Sequence, residues 1–290
     1  MPARGIGEGV LQFGRMIRFS HSIFSLPFAV SAVLFAVSSG YAWPTWMDGL
    51  WILVAAVAAR TAAMTFNRIA DRQIDAANPR TENRELPAGV ISTRTAMIFL
   101  LLAAAVFVFA AGQLNPLCGW LSPLALFILF FYSYTKRFTW ACHFFLGLSL
   151  AVAPVGGWFA VTGQWSWVPF LLGAGVCAWI AGMDILYALQ DEAFDRRHGI
   201  HSIPARFGKP RSLAISALLH GLCIVLFLAF GALLNVHPAY FIGVLVAGGL
   251  LLWEQRVVRG TMERMQFVFF DMNGLFSLTF LAASALGVFL

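Results

Sequence analysis

Two short stretches hold the residues best suited to chemistry. In "TFNRIADRQIDAANPRTENRELPAG" (Thr65–Gly89), Asn67, Asp71 and Asp75 follow one another at four-residue steps, and in "DILYALQDEAFDRRHGIHSIPARFG" (Asp184–Gly208) Asp191 and Asp195 repeat that step. On a helix, residues i and i+4 share a face, so each set predicts one acidic stripe. Carboxylates stacked this way repel one another, and an ordinary helix gains nothing from them. A divalent cation reverses that sign. Mg2+ takes one or two carboxylates, keeps several waters and completes its shell with phosphate oxygens. Two facing stripes therefore suit Mg2+ ions held around a diphosphate, with nearby Arg side chains balancing the remaining phosphate charge.

Two charges lie deeper along the same helices. Arg60 is seven residues before Asn67, and Asp184 is seven before Asp191. Each points the same way as its motif, roughly 10 Å further along the helix at 1.5 Å per residue. Charges at that depth are costly and are paired or functional, so an Arg60–Asp184 ion pair is expected at the floor of a polar cavity. The equal offset of both Asp pairs (71 to 191, 75 to 195) suggests a weak internal repeat. His198 and His201 flank the second set, but Mg2+ prefers oxygen, so hydrogen bonding within the loop is expected of them. His143, His220 and His237 show no partner in the sequence. Cys118, Cys142, Cys177 and Cys223 stand singly among apolar neighbours, without metal-ligand or disulfide spacing.

The elements that must carry these residues are membrane helices. The 290-residue chain is 60% hydrophobic and 11% charged, with mean hydropathy +0.80, where a soluble protein carries about 25% charged residues. Nine apolar spans are expected: Ser22–Ser38, Gly49–Phe66, Thr95–Gln113, Pro116–Tyr134, Ala141–Val161, Trp167–Leu189, Ser212–Leu234, Pro238–Glu254 and Asp271–Leu290. Pro2–Gly14 is short and polar, which predicts no cleaved leader. With these spans the polar segments alternate between two faces, and every Lys and Arg except Arg60 falls on one of them. The positive-inside rule then puts the N-terminus and both Asp motifs in the cytoplasm, at the inner membrane. The formal charge of +6 is accounted for by this segregation, which argues against nucleic acid as a partner. The expected architecture is all-α: a single polytopic domain (1–290) of nine transmembrane helices around a central cavity open to the cytoplasm.

The motifs together resemble a known family. Asn67, Asp71 and Asp75 with "NPRTENRELPAG" resemble the first Asp-rich motif of the intramembrane aromatic prenyltransferases, the UbiA superfamily, and Tyr187, Asp191 and Asp195 in "YALQDEAFD" resemble the second. "YSYTKRFT" (Tyr132–Thr139) is similar to the family's basic loop, and "RMIRFSHSIFSLPFA" (Arg15–Ala29) to its first helix. The resemblance implies Mg2+-dependent transfer of a polyprenyl chain from its diphosphate to an aromatic acceptor. It implies that Asn67, Asp71, Asp75, Asp191 and Asp195 hold the Mg2+–diphosphate, that Tyr187 supports the second motif, and that Arg18, Arg72 and Lys136 contact phosphate. Arg137 is the expected anchor for an aromatic acid. Where many members have Asp after the motif's Asn, this chain has Arg68.

The acceptor stays open between 4-hydroxybenzoate, on a ubiquinone route, and a dihydroxynaphthoate, on a menaquinone route. An apolar tail worth about 0.8 kcal/mol per buried CH2 explains why such an enzyme sits in the lipid bilayer. Phe and Trp side chains are expected to supply part of a tail tunnel. The segments Asn78–Gly89 and Arg197–Arg211 are candidate lids over the mouth. Two other readings compete. A phospholipid head-group transferase needs its Asp pairs in one contiguous stretch, and a transporter needs ionisable groups near the midplane and open to both faces. Neither matches the distribution of charge in this chain.

Overall fold

The computed structural model describes residues 24–260 and 265–290. Arg18, the expected phosphate contact, and the start of span one lie outside them. Among the described residues the chain is all-helical, with no strand. In order these are α1 (Leu26–Ser38), α2 (Trp46–Ala77), α3 (Thr93–Leu114), α4 (Pro116–Thr135), α5 (Cys142–Thr162) and α6 (Val168–Ala188). A 3-10 turn (Leu189–Asp191) leads into α7 (Glu192–His198), followed by α8 (Ile203–Leu233) and α9 (Ala239–Gly260). A π-helical turn (Val268–Met272) opens α10 (Asn273–Phe289). Among the described residues eight segments are long and apolar enough to cross a membrane, while α1 is apolar but only 13 residues in its described part.

Helix starts follow local capping chemistry. Thr45 and Asp48 form a capping box at α2. Ser92, Asn115 and Ser202 accept from the third helical N–H of α3, α4 and α8. Gly163 and Gly199, at φ 60° and 66°, close α5 and α7 in the left-handed conformation that glycine adopts without steric penalty. Small residues bring helices close where no side chain would fit. A Cβ at Gly147 would lie 2.4 Å from the Cys177 carbonyl oxygen, so α5 and α6 meet almost backbone to backbone. The core beside them is aromatic: Phe28, Phe227 and Phe280 are fully buried, with Phe28 stacked on Phe280 at 4.8 Å between centroids and Phe227 tilted against Phe280 at 4.3 Å. All four cysteines are free.

Two elements differ from expectation in ways that matter for the site. Span two ends at Phe66 by hydropathy, but α2 runs unbroken to Ala77. At 32 residues it is about 48 Å long, well beyond a hydrocarbon core of roughly 30 Å. Asn67, Asp71 and Asp75 therefore ride on a rigid projecting helix end. The second stretch is broken instead. Asp191 ends the 3-10 turn and Asp195 belongs to α7, so they do not form the continuous stripe that their spacing predicts.

Candidate active site

Where α2, α4 and α6 end and α5 begins, they surround a polar cavity of about 320 Å3. Asn67, Asp71 and Asp75 line it from α2, Asp184 and Tyr187 from α6, Asp191 from the 3-10 turn and Asp195 from α7. The two acidic stretches thus meet across one space. They are also joined directly. Asn78, the residue closing α2, donates from Nδ2 to Asp191 Oδ1 at 3.0 Å. Arg80 donates from Nε to the same oxygen at 2.9 Å, from Nη2 to Asp191 Oδ2, and from Nη1 to the Tyr187 hydroxyl at 2.9 Å. Burial opposes the Arg80 charge, but the hydrogen bonds to Asp191 and Tyr187 and their charges outweigh it and hold its pKa above the ordinary arginine value.

The other carboxylates are satisfied in the same fashion. Asp71, 2% exposed, accepts from Lys136 Nζ at 2.6 Å and from Asn67 Nδ2 at 2.8 Å. Asp75, 4% exposed, accepts twice from Arg84 Nη1, at 2.7 and 2.9 Å. Asp195 accepts from the Ser202 hydroxyl at 2.7 Å, and Ser202 in turn caps α8. Removing one partner of such a buried pair is costly, so Lys136 and Arg84 hold Asp71 and Asp75 in place. Arg68, at the position where the family pattern often has Asp, is itself buried and comes within 4.0 Å of Asp75. It adds a cation to this cluster rather than a further acid.

Several expectations are corrected. Asp184 pairs with His143, not Arg60. His143 Nδ1 lies 2.6 Å from Asp184 Oδ2, while the Ile203 N–H donates to Nε2 at 3.2 Å. The Ile203 bond places the imidazole proton on Nδ1, aimed at the carboxylate. Arg60 and Asp184 line the same cavity without pairing, because His143 stands on α5, which packs closely against α6. Arg72 points away from the cavity and donates to Thr93 Oγ1 at 3.2 Å, as a residue one step past Asp71 on a helix must. Arg137 is also outside the cavity lining. It clamps α2 to α4 by donating to the carbonyls of Ser133 and Ala70, both at 2.6 Å, and to Asp71 Oδ1 at 3.2 Å. Arg137 is thus engaged by the chain itself, although its side chain is 32% exposed beside Asp71.

Other residues were missed by motif spacing. Asn78, Arg80 and Arg84 belong to the loop after α2, and their contacts depend on a turn that Asn78 makes by accepting from the Arg80 N–H at 2.9 Å. The Asn-Pro-Arg sequence marks that turn, which was the available signal. His198 hydrogen-bonds the Phe194 carbonyl within α7, a helical contact rather than the loop contact expected of it. His220 does have a partner, the Gln255 side chain at 3.2 Å.

A second, apolar cavity of about 580 Å3 adjoins the first. Arg60, Met64, Tyr132, Leu146 and Leu150 line both, so they form the throat between them. Beyond it the walls are chiefly Ala, Leu, Gly and Val, with few rings, such as Phe107 and Phe159. Rings thus supply a minor part of this lining, as expected, and the rest is mostly aliphatic. Trp120 and Trp167, 85% and 73% exposed, face outward, as anchors at a membrane interface do. Among the described residues no group of three or more His, Cys, Asp or Glu could hold a metal ion by itself. An ion here would have one or two carboxylates and otherwise rely on a ligand and water, which is the donor set of Mg2+.

The profile of the UbiA prenyltransferase family matches residues 25–282. The 4-hydroxybenzoate octaprenyltransferase of Vibrio vulnificus is 31% identical over 231 residues, which cover 79% of this chain and 81% of that protein. A UbiA homolog from Aeropyrum pernix K1, solved in its apo form, superposes with TM-score 0.82 at 32% identity, covering 91% of this chain and 96% of that one. A UbiA homolog from Archaeoglobus fulgidus, solved bound to DMAPP and Mg2+, superposes with TM-score 0.69 at 19% identity, covering 96% and 99%, and shares the fold.

Proposed function

The chain belongs to the UbiA prenyltransferase family, and from that premise we propose that it transfers a polyprenyl group from polyprenyl diphosphate to an aromatic carboxylate such as 4-hydroxybenzoate, with Mg2+. One observation carries the reading: two acidic helix ends share a polar cavity whose throat opens into an apolar one. The diphosphate head fits the first and the isoprenoid tail the second. Mg2+, which the Archaeoglobus homolog also binds, would be held by Asp71, Asp75, Asp191 and Asp195 with Asn67, and it supplies electrostatic stabilisation of the departing diphosphate.

The chain's own residues do the remainder. Arg80, Arg84 and Lys136 move from carboxylate to phosphate oxygens and offset charge as the allylic C–O bond breaks. Arg60, which lines the throat, would hold the acceptor's carboxylate in place of Arg137, whose donors are engaged by Ser133, Ala70 and Asp71. The electron-rich ring carbon then attacks the allylic cation, and the ring proton passes to the Asp184 carboxylate that His143 orients. The aliphatic walls keep water from the cation, which would otherwise be lost as the alcohol. The acidic ends and basic loops face the cytoplasm, in the inner membrane.

Purified protein in proteoliposomes with Mg2+ and a labelled polyprenyl diphosphate, offered 4-hydroxybenzoate or dihydroxynaphthoate separately, tests this. Prenylated hydroxybenzoate is expected. Product from the naphthoate alone would reassign the acceptor, and product from neither would end the reading.

A further inference from the structure

Beside the second acidic stretch, inside the helix bundle, lies a polar network that the proposed reaction does not use. Its hub is Asn273, fully buried at the start of α10. Asn273 Oδ1 accepts from Trp179 Nε1 at 2.8 Å, and Nδ2 donates to the Val268 carbonyl at 2.9 Å and to Glu254 Oε1 at 3.3 Å. An indole only donates and a carbonyl only accepts, so these partners fix which way the amide faces. A second set joins α6 close by. Ser216 donates to the Gly182 carbonyl at 2.8 Å, and Gln255 Nε2 donates to Ser216 Oγ at 2.8 Å. Both sets grip the turn Trp179–Gly182, immediately before Asp184, Tyr187 and Asp191.

Buried polar groups inside a membrane bundle are costly and mark function by default. Glu254 is 1% exposed, yet it is far from the acidic cavity in sequence and does not line it. The link runs through the π-helical turn, a rare element concentrated at functional positions. The Asn273–Val268 bond spans that turn. The turn presents Phe269 to Tyr187, with ring centroids 4.4 Å apart, and Phe269 lines the polar cavity. Tyr187 in turn accepts from Arg80, which holds Asp191.

We propose that Asn273, oriented by Glu254, is a positioning residue for the diphosphate site: it fixes α6 through Trp179 and seats Phe269 against Tyr187, so that Tyr187, Arg80 and Asp191 meet the diphosphate in register. This rests on the prenyl-transfer reading above. The test compares Asn273→Leu, Glu254→Gln, Phe269→Leu and the Asn273→Leu/Phe269→Leu double variant in the full chain. Prenyl transfer is measured, and binding of pyrophosphate with Mg2+ is followed separately by calorimetry. Asn273→Leu is expected to weaken both by about tenfold to a hundredfold. Glu254→Gln keeps an acceptor for Nδ2 and is expected to stay near wild type. The double variant is expected to lose no more than the worse single variant, because both cut one chain of contacts. Losses that multiply in the double variant, or unchanged pyrophosphate binding by folded Asn273→Leu, overturn the proposal. If Asn273→Leu does not fold, Glu254→Met enters the same cycle with the same two outcomes. Wild-type protein that neither transfers a prenyl group nor binds pyrophosphate would instead refute the prenyl-transfer reading, and this inference with it.

Discussion

Replacing Arg80 by Met removes the cation that bridges the loop after α2 to the second acidic stretch. In the ligand-free chain that side chain donates to both Asp191 oxygens and to Tyr187, and its guanidinium lies 5.1 Å from the Tyr187 ring centre. A hydrogen bond to a charged group contributes about 1.5–3 kcal/mol. The Arg80 side chain is 32% exposed, so solvent screening favours the lower end. A loss of about 1.5–2 kcal/mol of transition-state stabilisation corresponds to a fall in kcat/KM of about 10- to 30-fold. Arg80→Lys keeps the charge without the planar fork and should fall between the two. Initial rates against polyprenyl diphosphate at saturating Mg2+ give the number. An unchanged kcat/KM would show that Arg80 never engages the substrate. A raised one would show that it only blocks Asp191.

Other expectations follow from the same geometry. Asp71→Asn and Asp191→Asn should each lose more than about a hundredfold in kcat with either acceptor, since each removes a carboxylate needed where charge develops; retained turnover in either would exclude that residue from the site. Arg60→Leu should raise the acceptor KM, whereas Arg72→Ala, turned toward Thr93, should leave all kinetic constants within about twofold. Arg137→Ala should lower the melting temperature by breaking the clamp between α2 and α4, with the acceptor KM of the folded enzyme unchanged. Chelation with EDTA should abolish turnover, and added Mg2+ should restore it.

Much of this arrangement was legible before any coordinates. Hydropathy alone placed α3 to α6 within a few residues, because lipid demands long apolar helices and says little else. The acidic stretches announced themselves, since a row of carboxylates has no stabilising purpose on an ordinary helix. Partners were harder. The spacing of Arg60 and Asp184 is symmetrical about their motifs, but an ion pair depends on helix rotation and packing, and α5 brought His143 in first. Arg72 stands next to Asp71 in sequence but reaches Thr93, since one step along a helix turns a side chain by about 100°, while Arg137, in the turn after α4, directs its donors to Ser133, Ala70 and Asp71. The break at Leu189–Asp191 leaves no strong mark in a stretch without Gly or Pro. Asn273 and Glu254 read as ordinary polar residues near span ends until the fold brought them together with Trp179.

The claim on which everything else depends is that the two acidic helix ends serve one ligand. A structure of the full chain with a non-cleavable polyprenyl thiodiphosphate and Mn2+, whose anomalous signal locates the metal, tests it most directly. The account predicts metal and diphosphate between Asp71 and Asp75 on one side and Asp191 and Asp195 on the other, with the tail passing Arg60 and Tyr132 into the apolar cavity. A diphosphate bound by only one set, or outside the cavity they share, would contradict it.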